Sequence, residues 1–240
     1  MLAAVSVDTV SENLLRIRER IVVAALRAGR NVDEITLIGV SKTHPAEAIR
    51  LAYAAGLRDF GENRVQEWEG KRGGLGDLEA QWHLIGHLQS NKALRAAGLF
   101  HSVDSVDDFA VAQRLDRGRG NAGGGPKLRV LLEVRVAEEE TKNGLTVEEV
   151  PELAEKVSAL PVLDLRGLMC IPPFLEDAEQ VRPYFRRLRE LRDQLAKRLR
   201  RPLPVLSMGM SHDFEVAIEE GATEVRVGTA LFGPRPAPKV

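Results

Sequence analysis

The sequence has a single cysteine, Cys170, so no intrachain disulfide can form and a cysteine-rich metal site is excluded. It also lacks any stretch near the roughly 20 apolar residues needed to cross a bilayer. No basic leader precedes an apolar run, and MLAAVSVDTVSENLLRIRERIVVAALRAG soon turns charged and amphipathic, which points to a helix and not to a signal peptide. Charge of one sign is lacking too. A formal net charge of -1 gives no global footprint for nucleic acid or anionic membrane. What remains is ordinary globular composition, 44% hydrophobic and 29% charged, which argues against disorder. A soluble protein of a reducing cytoplasm is expected.

The hydrophobic pattern alternates regularly between two periods. A first helix is expected from Asp8 or Ser11, with Leu14, Ile17, Ile21, Ala24 and Ala28 at helical spacing and Gly29 closing it. ITLIGVSK, residues 35–42, then reads as a buried parallel strand, followed by a helix from Pro45 to Gly56. The same unit recurs without internal sequence similarity. Further strands are expected at 58–62, 81–86, 99–104, 127–134, 162–171, 204–208 and 223–228, and helices at 63–71, 90–97, 105–116, 146–158, 177–200 and 211–220. Eight strand–helix units in this length match a (β/α)8 barrel, an α/β TIM-type fold with an extra N-terminal helix, over one domain, 1–240. KRGGLGD (71–77) and GRGNAGGGP (118–126) read as surface loops. The helix spanning 177–201 carries nine Lys or Arg residues, and that pattern reads as a solvated outer face before it reads as a nucleic-acid contact.

In such barrels chemistry sits where strands end at the C-terminal face. Lys42 follows an apolar strand directly, and partial desolvation there would lower its pKa and expose an amine able to attack an aldehyde. The plainer reading is a lysine snorkelling to solvent. At the eighth strand's end, VGTALFG sets Gly228 and Thr229 where strand turns into helix, leaving backbone N–H groups for a phosphate, with Ser207 and Ser211 as further donors. Taken singly, Gly228 and Gly209, the latter in LSMGMSHD, are equally well tight turns. Arg226 alternates with Val225 and Val227, which turns it into the barrel mouth, where a guanidinium could donate to a pyridine nitrogen. A buried structural ion pair is the alternative, although no acidic partner is evident. His83 and His87 are four apart, but QWHLIG reads as strand, so helical metal geometry and zinc are not expected. His83 could still touch a bound ring, and Cys170 reads as a small buried hydrophobe.

Taken together, VSKTHP, FGENRVQEW, WHLIGHLQSNK, LRGLMCIPP, LSMGMSHDFEVAI and VRVGTALFGPR closely resemble the YggS/PROSC family of pyridoxal phosphate homeostasis proteins, over about residues 12–235. The resemblance implies a fold-type III barrel like the N-terminal domain of alanine racemase, with pyridoxal 5′-phosphate (PLP) as a Schiff base on Lys42. It implies cofactor contacts from Asn63, His83, Ser207, Ser211, Arg226, Gly228 and Thr229, the serines and the last two serving phosphate. Arg135 departs from the usual Asn, and TKNG replaces SK-x-G, which leaves the loop near 133–144 without an assigned role. With no room after Val240 for the second domain of racemases, a cytoplasmic, monomeric cofactor carrier without strong catalysis is expected. PLP-dependent apoenzymes would then be possible partners, and nucleic acid and membrane would not. A PLP-dependent enzyme, such as a minor amino-acid racemase, is the alternative.

Overall fold

In the computed structural model of the protein, residues 7–123, 125–137 and 143–234 are described. Helix α1 (Val7–Arg27) precedes eight strands: β1 (Thr36–Val40), β2 (Asp59–Glu62), β3 (Gln81–Leu84), β4 (Ser102–Val106), β5 (Leu128–Glu133), β6 (Leu163–Met169), β7 (Val205–Ser207) and β8 (Glu224–Val227). All are parallel and close as a barrel in chain order, with β1 pairing β8 through Gly39 and Val227. Closure leaves no strand edge exposed. Around the barrel run α2 (Ala46–Ala54), α3 (Val65–Arg72), α4 (Ser90–Ala96), α5 (Phe109–Asn121), α6 (Val150–Ser158), α7 (Arg182–Leu199), α8 (Phe214–Glu219) and the short α9 (Thr229–Phe232). Among the described residues, no helix is long and apolar enough to cross a membrane.

The alternation of each strand divides two environments. Leu37, Leu128, Val130, Leu132, Leu206, Val225 and Val227 belong to the apolar layer between barrel and helices. Leu131, Met169 and Val205 make a separate, small apolar group. The period of two therefore turns Ile38, Val40, Arg129, Leu131, Glu133, Ser207, Glu224 and Arg226 inward.

Several expected boundaries move. The strand placed at 99–104 is Ser102–Val106 instead, and the helix expected to start at Gly228–Thr229 is α9, only four residues long. The segment 118–126 is not loop throughout, because α5 runs to Asn121 from a side-chain cap in which Asp108 accepts from Ala110 and Val111. Gly118 lies inside that helix against α4, where a Cβ would come within 2.6 Å of Leu94 O. Close packing here overrides the low helix propensity of glycine. Likewise α3 extends to Arg72, so the first Gly-rich loop begins at Gly73.

Most arginines on α7 are neutralised within the chain. Arg182 meets Glu179, Glu219 and Glu220, Arg186 and Arg189 meet Glu220, and Arg198 meets Glu155. The basic pattern of that helix is largely an ion-pair network with its neighbours.

Candidate functional site

The turn after β1 is the most strained point near the barrel mouth. Thr43 adopts φ 66°, a left-handed conformation that a β-branched residue rarely takes and that costs on the order of 1–3 kcal/mol. Its N–H donates to Glu67 Oε1 at 2.5 Å. Lys71 Nζ in turn donates to Ser41 O, Glu62 Oε1 and Glu67 Oε1 at 2.9, 2.9 and 2.6 Å. Ser41, fully buried, donates to Glu62 Oε1 at 2.7 Å. Burial raises the Glu62 carboxyl above its usual range, against the pull of Lys71 and Ser41. This clamp holds the backbone on both sides of Lys42, through Ser41 O and Thr43 N–H, and Lys42 itself is half-buried in the turn just beyond β1. The clamp residues Glu67 and Lys71 were not foreseen, because their contacts come from a neighbouring helix.

On the adjoining strand, Gly228 caps α9, and Thr229, the first residue of that helix, is exposed. The first N–H groups of a helix have no intrahelical acceptor. Ser211, half-buried, accepts from Ala230 N at 3.3 Å and ties the β7–α8 loop to this turn. The His44 ring lies 5.0 Å from that of Phe232, joining the Lys42 loop to α9. Pairing of β1 with β8 thus brings Lys42, Gly228, Thr229 and Ser211 to one side of the mouth.

Arg226 is 4% exposed and carries its charge into the mouth. Its Nη1 donates to Ser207 Oγ and its Nη2 to Cys170 O, each at 2.7 Å. Neither partner is charged. Ser207, foreseen as a phosphate donor, is fully buried and accepts from Arg226, leaving only its own proton to give. Burial pulls the Arg226 pKa down, with Cys170, Asp104, Glu133 and Asp213 opposing. Glu133, at the inner end of β5, is 6% exposed, and its Oε2 has no hydrogen-bond partner. Burial first, and Asp107 second, push its carboxyl up to about 7, while Arg226 resists. It was overlooked in the sequence, although a carboxylate in KLRVLLEV two residues from Leu131 on one face was the available signal. Cys170 is buried and its thiol is pushed up to about 12, chiefly by burial, so it is inert.

The structure does not bring all the expected residues together. His83 is 2% exposed inside the barrel, its Nε2 3.1 Å from Asp59 Oδ1 and its Nδ1 3.4 Å from Asp104 Oδ2. Burial lowers its pKa, but Asp104 and Asp59 outweigh that and the net shift is upward. Both nitrogens are thus directed to carboxylates. His83, Asp104 and Glu224 approach within 4.8 Å of one another, yet Arg129 lies against Glu224 and supplies positive charge from within. Asn63 is half-buried just beyond β2, with Oδ1 buried and unpartnered.

Comparison with known proteins decides the lineage. Residues 6–236 match the family described as alanine racemase, N-terminal domain. The chain is 50% identical over 226 residues to the pyridoxal phosphate homeostasis protein of Aquifex aeolicus, covering 93% of this chain and 97% of that one. It belongs to that family. The family's member in Pseudomonas aeruginosa is 51% identical over 229 residues, covering 95% and 96%. Among solved structures, PipY of Synechococcus elongatus with PLP bound is 42% identical with a TM-score of 0.79, covering 90% of this chain and all of that one. Alanine racemase of Clostridium difficile, 15% identical with a TM-score of 0.75, shares the fold and covers 97% of this chain but 58% of its own.

The mouth fits the group that the PipY structure holds. An amine at a strained turn, a helix start with hydroxyls for a dianion, a guanidinium hydrogen-bonded to neutral groups and a carboxyl with one unpartnered oxygen form a suitable polar set.

Proposed function

We propose that this chain binds PLP at the barrel mouth, attached to Lys42 as a Schiff base, and holds it for intracellular cofactor homeostasis without strong catalysis. The observation that carries the reading is the β1–β8 pairing, which sets Lys42 beside the Gly228–Thr229 helix start. The names of the relatives at 50% and 51% identity and the PLP-bound PipY structure support it. We read the chain as one domain, a cytoplasmic monomer, with PLP-dependent apoenzymes as candidate recipients.

When bound, the cofactor supplies an aldehyde for amines and a ring that can accept electrons. Lys42 would provide the amine. Thr229, Ser211 and the Gly228 turn would hold the phosphate, with Ser207 adding its proton. Arg226 would face the pyridine nitrogen as a donor and keep it unprotonated, which weakens the ring as an electron acceptor. Asn63 would contribute an amide, and His83 a ring edge from below. Borohydride reduction followed by peptide mapping tests the attachment. The adduct is expected on Lys42 and absent from Lys42→Ala, and an adduct on another lysine would overturn the reading.

One observation favours a second reading, a weak PLP-dependent enzyme such as an amino-acid racemase. Glu133, titrating at about 7 in the mouth, is matched to moving a proton at neutral pH. Deuterium exchange at the α-carbon of alanine, followed by proton NMR, separates the two. Exchange on the order of 1 s⁻¹ would favour the enzyme, and negligible exchange with cofactor attached would favour the carrier.

A further inference from the structure

Two motifs in the sequence, FGENRVQEW and WHLIGHLQSNK, come together at the edge of the cofactor mouth. A cleft of about 470 Å³ opens between the ends of β2 and β3, lined among others by Asn63, Arg64, His87, Gln89 and Lys92. Its walls are preset. A Cβ on Gly86 would lie 2.4 Å from Asn63 O and 2.8 Å from Asn63 Cα, so only glycine lets the two loops touch.

The charge of the cleft is one-sided. Among the described residues, no carboxylate lies within 4 Å of Arg64 or Lys92, although Lys92 is half-buried. The nearby acids are engaged elsewhere: Glu67 with Lys71, Glu69 with Arg95, and Asp107 with His87 Nδ1 at 3.4 Å. Glu67 feels Arg64 only at longer range. Three neutral amides, Asn63, Gln66 and Gln89, share the lining, and the buried Asn63 Oδ1 has no hydrogen-bond partner among the described residues. A half-buried ammonium and a guanidinium with no paired carboxylate, facing one preformed cavity, suit a planar or tetrahedral oxyanion.

We propose that this cleft is an anion site, distinct from the phosphate cradle at Gly228–Thr229, that takes a small ligand bearing a carboxylate or phosphate group through Arg64 and Lys92. It does not require that the cofactor reading be right. The His87–Asp107 pair places it one contact from the mouth, where the Asp107 charge acts on Glu133.

Calorimetric titration of the full chain, incubated with excess PLP to fill the cradle and then dialysed, with inorganic phosphate and separately with glutarate, tests the proposal. Saturable binding of either probe is expected, and which one binds tells phosphate-bearing from carboxylate-bearing ligands. Affinity should fall about tenfold or more in Arg64→Gln and in Lys92→Gln, as for loss of a charge-assisted hydrogen bond. Thr229→Ala should leave this binding unchanged. Failure of both probes to bind, or binding that survives both Gln substitutions, would overturn the site. Binding lost only in Thr229→Ala would assign the probe to the cradle and also overturn it, whether or not the cofactor attaches to Lys42.

Discussion

The inside of the barrel carries buried charge at two levels, and the levels treat it differently. In the floor, every charged group touches an opposite one: Arg129 lies against Glu224, and His83 is 3.1 Å from Asp59 and 3.4 Å from Asp104. At the mouth, among the described residues, Arg226 hydrogen-bonds Ser207 Oγ and Cys170 O alone and Glu133 has no cation within 4 Å. Buried charges are normally paired because unpaired ones are costly. The floor therefore reads as structure, whereas the mouth reads as a surface awaiting a polar partner.

The largest effect should come from unpairing the floor. Arg129→Met strands Glu224 and is expected to cost about 3–5 kcal/mol in urea unfolding, while adding Glu224→Leu should recover much of that. If the single change costs under about 1 kcal/mol, the floor is not held by its pairs and the contrast collapses.

Next in size is the pH response of the mouth. With a folded pKa of about 7 against an ordinary 4.5, native Glu133 keeps a proton that the unfolded chain has released. Its contribution to stability therefore falls as pH rises from 4.5 to 7 and is level above that window. Glu133→Gln should match the parent near pH 4.5 and exceed it at pH 8 by up to about 3 kcal/mol. Equal stability of the two at pH 8 would mean that the carboxyl already has its partner.

A smaller effect sharpens the contrast from the ligand side. Thr229→Ala, at an exposed position, should leave unfolding nearly unchanged and raise the PLP dissociation constant about tenfold, through loss of one donor to a dianion. Equilibrium dialysis would measure it. The smallest effect lies outside the barrel, where Arg198 and Glu155 pair at 55% and 50% exposure. Arg198→Ala should cost under about 1 kcal/mol.

The strand–helix succession was legible because it is written in local periods of two and 3.6, and Lys42 could be singled out because an ammonium ends an apolar strand. Arg226 was assigned to the inner face by the same alternation, and Val225 and Val227 do belong to the outer layer. Glu133 was missed, although it obeys that rule, since a lone acid inside LLEV gives no hint of its neighbours. Its burial comes from barrel closure, and the charges that act on it, Asp107 just beyond β4 and Arg226 on β8, come from elsewhere in the chain. Gly118 misled for the opposite reason. Its glycine looks like a loop residue until the backbone of α4 is seen against it.

By itself, then, the sequence determined the succession of strands and helices, which strand side chains face the barrel axis and which amine follows β1. Only the tertiary structure decided that Glu67 and Lys71 clamp the turn around Thr43, that α4 packs against Gly118, and that the floor is paired while the mouth is not. The physical reason is range. Pleat and helix period act between neighbours in the chain, whereas barrel closure, ion pairing and desolvation depend on residues that meet only when eight strands form one ring.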